Sequence, residues 1–212
     1  METGNRAKLA SFVMVGAISL ILFLYGVKLP SLVPRILSAL PLVITLLFAA
    51  FDRWLWHLPG IIRLVRRPWI AGTWVGDLTS YRNDPDSGDP ITTNHAVVLR
   101  VEQTFTTVSA VLMTAESKSR SLAAEFVSHG AADYTLLYTY DNTPKLEYRD
   151  QSKIHRGGTA VELHGPSPDQ VEAEYWTNRD TKGTFSVRRV SRKLVGTFQE
   201  GNRLAEANRK ES

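Results

Sequence analysis

The sequence predicts an all-β antiparallel closed barrel of about eight strands, lipocalin-like but smaller, following an N-terminal two-helix transmembrane hairpin. Three observations lead there. The chain opens with two long apolar runs, Leu9 to Val27 and Ile36 to Phe51. From Trp69 onward the pattern changes to short segments rich in Val, Thr, Tyr and Phe, separated by Gly, Pro, Asn and Asp clusters. No long stretch of helical periodicity follows, and eight or nine short strands are best arranged in a closed sheet, which leaves no bare edges. A two-sheet sandwich is the structural alternative.

Leu9 to Val27 carries no charge and lies between Lys8 and Lys28. At about 1.5 Å of rise per residue this run nearly crosses a bilayer core about 30 Å thick. The second run contains Pro41 and is short for a span, but Trp54 and Trp56 extend it into the interface. The spans are set at about 9–28 and 36–55 within a hairpin over 1–57. The connection, Lys28-Leu-Pro-Ser-Leu-Val-Pro-Arg35, is short enough to force antiparallel packing. A secretory signal peptide also begins this way, but it ends at a small-residue cleavage site, which Tyr25-Gly-Val-Lys-Leu-Pro is not. A buried soluble helix pair would need apolar cover that the remaining sequence does not offer.

Charge sets the orientation. Residues 1–68 hold eight Lys/Arg against two Asp/Glu, and residues 69–212 hold seventeen against nineteen, so the overall +4 is a juxtamembrane property. Arg6 and Lys8 precede the hairpin and Arg53, Arg63, Arg66 and Arg67 follow it, which places both termini in the cytoplasm. The later domain has no broad cationic footprint for a DNA or RNA duplex. Cysteine is absent, which removes disulfides, thiol nucleophiles and thiolate metal sites.

Residues 58–68 read as a basic juxtamembrane linker, with a short interfacial helix as the alternative. Residues 69–200 form the cytoplasmic barrel. Its strands are expected over 69–81, 94–103, 106–116, 119–128, 133–140, 145–150, 159–164, 171–177 and 184–191. Asn83 to Pro90 is a polar loop. Val97, Leu99 and Val101 share one face of their strand, Leu122, Ala124 and Phe126 another, and Tyr134, Leu136, Tyr138 and Tyr140 a third. Leu-Ala-Ala-Glu-Phe could equally be helical. Residues 201–212 form a polar tail, expected to fray.

Two stretches carry possible chemistry. Gly72-Thr-Trp-Val-Gly76 places Trp74 where it would plug or line one end of a small barrel, as the Gly-x-Trp of lipocalins does. In Tyr175-Trp-Thr-Asn-Arg-Asp-Thr-Lys-Gly-Thr184, strand parity sends Ala173 and Tyr175 inward and leaves Arg179 and Lys182 at a hairpin turn on the rim. A ring to stack on, a guanidinium and the hydroxyls of Thr181 or Thr184 would suit a flat base and its phosphate. Tyr175 and Trp176 could equally be ordinary barrel aromatics. An enzyme is not indicated. The five histidines, at 57, 95, 129, 155 and 164, lack metal-ligand spacing, and there is no Gly-x-Ser-x-Gly elbow or Walker loop. Glu172 and Glu174 read as a solvated face.

Two N-terminal spans, a Gly-Thr-Trp-x-Gly opening and a late Tyr-Trp-Thr-x-Arg-x-Thr-x-Gly hairpin resemble the two-transmembrane, β-strand-rich effectors of CBASS anti-phage signalling. The resemblance implies a non-enzymatic receptor of the bacterial inner membrane, with no cofactor. Its ligand would be a cyclic dinucleotide or trinucleotide made by a partner CD-NTase. Binding would drive self-association into homo-oligomers, and the spans would then disrupt the lipid bilayer. By motif position the resemblance assigns Tyr175, Thr177, Arg179 and Thr181 as ligand contacts. Strand parity and turn position add Trp74, Tyr138, Tyr148 and Arg156. Here Glu174 precedes the tyrosine and Asn178 the arginine, where the family pattern has a small and an acidic residue. The rival reading is a membrane-tethered, lipocalin-like binder of a lipid or other apolar molecule.

Overall fold

The computed structural model describes residues 3–28, 31–84, 87–130, 132–150 and 152–211. Residues 29–30 of the expected hairpin connection and 85–86 of the polar loop lie outside these. The chain divides into two compact units, residues 1–61 and 62–212.

The first unit holds α1 (Thr3–Val27) and α2 (Leu32–Ala50), the latter continued by a π turn over Phe51–Leu55. Phe12 stacks on Phe48 with ring centroids 5.6 Å apart, Ser19 Oγ lies 3.4 Å from Thr45 Oγ1, and Gly26 abuts Ser38, so the two helices touch in antiparallel order. Gly26 is required there, because a Cβ would overlap the Ser38 side chain. Pro41 is accommodated within α2, where Thr45 Oγ1 donates to the Pro41 carbonyl at 2.8 Å. Leu32–Leu55 is long and apolar enough to cross a membrane, and its apolar stretch is unburied. The apolar part of α1, Ser11–Val27, is shorter than a full span, so among the described residues one helix reaches that length rather than two.

The second unit begins near a five-residue helix, α3 (Ile61–Val65), within the segment expected as a linker. Eight strands follow: β1 (Gly72–Asn83), β2 (Pro90–Gln103), β3 (Val108–Met113), β4 (Ser117–Gly130), β5 (Asp133–Pro144), β6 (His155–His164), β7 (Gln170–Thr177) and β8 (Lys182–Ser191). They pair antiparallel in sequence order, and β8 returns to β1. That last ladder closes the ring and excludes the sandwich. Residues 145–150 are not a ninth strand, because after Lys145 N donates to the Glu116 carbonyl the chain tightens into a 3₁₀ turn over Leu146–Tyr148.

Alternation fills the interior as expected, with Val97, Leu99 and Val101 of β2, Leu136 of β5, Val161 and Leu163 of β6, and Phe185 and Val187 of β8 in one core. The 119–128 segment is a strand, not a helix, but its parity changes midway. A register shift between Ser121 and Ala123 places Ser119 opposite Asn142 and Ala124 opposite Tyr138. Leu122 sits in this bulge and is left out of the core that Ala124 and Phe126 join.

The expected frayed tail is instead helix α4 (Phe198–Glu211). Glu200 accepts hydrogen bonds from Gly196 N (2.8 Å) and Thr197 N (3.2 Å), while Thr197 Oγ1 accepts from Glu200 N, a reciprocal cap that starts the helix. Phe198 and Leu204 then pack with Val195 over Val98, Val111 and Met113 on the outer barrel wall. Gly201 permits this approach, since a Cβ there would strike the Val98 side chain.

Candidate ligand-binding site

The two ends of the barrel differ. At the end where β1 begins, Trp74 is 1% exposed, donates Nε1–H to the Ile70 carbonyl at 3.0 Å, and lies under the Arg189 guanidinium, 5.0 Å from its ring centre. Arg189 also reaches Ser167, the Pro168 carbonyl and Asp169. Arg67 covers Phe126 at 4.9 Å. This end is plugged, so Trp74 plugs the barrel and does not line a binding cavity.

At the opposite end, where the β1–β2, β3–β4, β5–β6 and β7–β8 connections gather, a cavity of about 170 Å³ opens. Its aromatic floor and wall come from Tyr138 and Tyr140 on β5 and Tyr175 on β7. Ser80, Thr114, Ser117, Ser119, Thr159, Thr177 and Thr181 add hydroxyls. Arg179, at the β7–β8 turn, and His155, at the start of β6, stand at the mouth.

The β7–β8 turn is built for that position. Thr177 Oγ1 accepts from Arg179 N (3.2 Å) and Thr181 N (3.3 Å), and Thr177 N donates to the Thr181 carbonyl at 2.9 Å. Asp180 takes φ +56° to complete the turn. Among the described residues the exposed Arg179 side chain makes two long hydrogen bonds, to the Lys153 carbonyl (3.3 Å) and Ser152 Oγ (3.5 Å). Two glycines make room for the tyrosines: Gly183 under Tyr175 and Gly157 under Tyr140.

Burial raises all three phenols and keeps them protonated at neutral pH. The Tyr138 hydroxyl is pushed up to about 12, partly offset by Thr159. Tyr140 is raised further by Tyr138 and Tyr175, against the opposing pull of Arg179. Tyr175 is raised by burial and partly offset by Ser80. Burial and the Arg179 charge lower His155 and favour its neutral ring, opposed by the hydrogen bond to the Lys153 carbonyl, which favours the charged one. Among the described residues, Tyr138 Oη and Asn142 Oδ1 are buried here without a well-formed hydrogen bond. An unmade bond of this kind costs about 1–3 kcal/mol.

Of the predicted contacts, the structure gathers Tyr138, Tyr175, Thr177, Arg179 and Thr181 around one cavity. Trp74, Tyr148 and Arg156 lie elsewhere. Tyr148 is in the 3₁₀ turn. Because β6 starts at His155, Arg156 faces outward, where it pairs with Asp141 at 2.8 Å. Thr184 also faces outward, one step beyond the inward Gly183. The sequence reading missed Ser117 and Ser119, hidden by the β4 bulge, and Tyr140 and Asn142, which the β5 alternation could have supplied. Among the described residues no His, Asp or Glu cluster is arranged to hold a metal.

A closed antiparallel barrel, plugged at one end and opening at the other into an aromatic, hydroxyl-rich cavity under a guanidinium, defines a small-molecule-binding module. Residues 65–189 match the family described as Cap15, cyclic dinucleotide receptor domain, and the chain belongs to that family. It is also 29% identical over 94 residues to CD-NTase-associated protein 15 of Staphylococcus schleiferi, a match covering 44% of this chain and 50% of that relative. The matched region thus spans about half the length of the curated relative.

Proposed function

We propose that this protein is a membrane-anchored effector of CBASS anti-phage defence. Its barrel binds a cyclic dinucleotide released by a partner CD-NTase, and binding favours a self-associating form. The α1–α2 unit crosses the inner membrane as two spans with both termini in the cytoplasm. Clustering of these spans disrupts the bilayer and arrests growth. Ligand binding need only stabilise the associating form by its differential affinity, and confinement to a membrane raises the effective concentration of the spans. No catalytic step is required.

The observation that carries the receptor reading is the division of the barrel interior. Its apolar part is filled by side chains, whereas its open part presents Tyr138, Tyr140 and Tyr175 with Arg179 above them. Phenol rings provide stacking surfaces, and a loosely held guanidinium can fork onto phosphate oxygens. A carrier of apolar molecules would need the reverse, an unfilled greasy interior.

The test is calorimetric titration of the full chain, in mild detergent, with cyclic di- and trinucleotides. Saturable binding of one member is expected. No binding to any of them by a folded barrel would overturn the receptor reading and point to the apolar-ligand carrier.

A further inference from the structure

The cavity mouth is electrostatically two-sided. Arg179 stands on the β7–β8 turn, and Glu116 lines the cavity from the β3–β4 turn. In a ring of eight strands paired in sequence order these turns are half a circuit apart at the same end. The Glu116 backbone is fixed, its N–H donating to Thr114 Oγ1 at 3.1 Å and its carbonyl accepting from Lys145 N at 2.8 Å. Its carboxylate forms no hydrogen bond or ion pair among the described residues. A carboxylate beside an anion-binding cavity works against phosphate unless it meets a different part of the ligand.

Beside it lies a second unused acceptor. Asn142, 8% exposed and lining the same cavity, donates Nδ2–H to Ser119 Oγ (2.8 Å) and Ser117 Oγ (3.1 Å), and its Oδ1 has no partner among the described residues. Ser117 follows Glu116 directly, so both acceptors belong to one side of the mouth. Acceptors without donors on one side and a guanidinium on the other fix how a ligand lies: phosphate towards Arg179, N–H-bearing edge towards Glu116.

Resting on the receptor reading above, we propose that Glu116, supported by Asn142, is a specificity-determining residue that selects a guanine base. Guanine alone among the common bases sets two N–H donors side by side on its pairing edge, matching the two oxygens of a carboxylate. Adenine and cytosine each place a ring acceptor beside their amino group, which would face Glu116 repulsively. Uracil flanks its single N–H with two carbonyls.

Glu116→Gln tests this, because the change is isosteric at an exposed turn whose contacts are made by backbone. Full-length wild type and variant in detergent are titrated with cyclic di-GMP, cyclic GMP–AMP, cyclic di-AMP and cyclic di-UMP. Wild type is expected to bind a guanine-containing ligand at least about tenfold more tightly than cyclic di-AMP or cyclic di-UMP, the discrimination of one good bidentate contact. The variant should lose that preference and bind the guanine-free ligands as well as or better than wild type, since one repulsive charge is gone. Tight wild-type binding of a guanine-free ligand, or a guanine preference that survives in the variant, overturns the assignment while leaving the receptor reading intact. Absence of binding to every ligand overturns both.

Discussion

Gly183 lies directly across the β7–β8 ladder from Tyr175, and the tyrosine ring occupies the space that a side chain at 183 would need. A Cβ there would also meet the Thr79 carbonyl on β1. Gly183→Ala must therefore either lift Tyr175 or spread β8 from β1. The expected loss is about 1–3 kcal/mol of stability, typical of overpacking, together with weaker ligand binding. Thermal unfolding and titration of the same preparation check both; wild-type values for each would show that Tyr175 does not depend on this gap.

Arg179→Ala should separate binding from folding. The side chain is exposed and, among the described residues, held by hydrogen bonds of 3.3 and 3.5 Å, so the melting temperature should stay close to wild type. Losing a charge-assisted contact of about 1.5–3 kcal/mol should weaken ligand binding roughly tenfold to a hundredfold. Unchanged affinity would remove Arg179 from the site.

Deleting residues 198–212 discriminates a packed helix from a frayed tail. Val98, Val111 and Met113 would be uncovered on the outer wall. Each such side chain contributes on the order of 1.5–3 kcal/mol when fully buried, so a drop of several degrees in melting temperature and a tendency to aggregate are expected. A tail that merely frays would be removed without effect.

Acidification should destabilise the barrel through His155. Burial, aided by Arg179, holds its folded-state value below the ordinary 6.5, so the unfolded chain takes up a proton that the folded chain refuses. Stability is therefore complete above about pH 7 and declines as pH falls through about 6.5 towards the lowered value. Melting temperatures between pH 7.5 and 5 should show that decline, and His155→Gln should reduce it. An identical slope in the variant would assign the effect to another group.

Membrane anchoring is tested in α2. Ile44→Arg places a cation near the middle of Leu32–Leu55, at a cost of about 2.5–3.5 kcal/mol for a central position. The wild-type chain should remain with membranes through an alkaline wash, and the variant should be partly released. Release of the wild type would overturn the anchoring.

The division into an apolar helical region and a β-rich domain is legible in the residues alone, because long uncharged runs and short alternating segments bury surface in different ways. So is much of the lining: on β5 and β7, unbroken period-two alternation puts Tyr138 and Tyr175 inward wherever those strands pair. Arg179 was legible because turn residues are displayed whatever the sheet does. The remaining features depend on how distant segments pair. One bulged residue, Leu122, reverses the parity of β4 and brings Ser117 and Ser119 to face Asn142. The starting residue of β6 turns Arg156 outward, and Trp74 falls at the plugged end because the sense of β1 fixes which end it faces. Polar residues 201–211 gain a fixed place because Val98, Val111 and Met113 offer an outer apolar wall. Register, strand sense and the partner of an amphipathic face arise from pairings between distant segments, whereas alternation is a property of each segment alone.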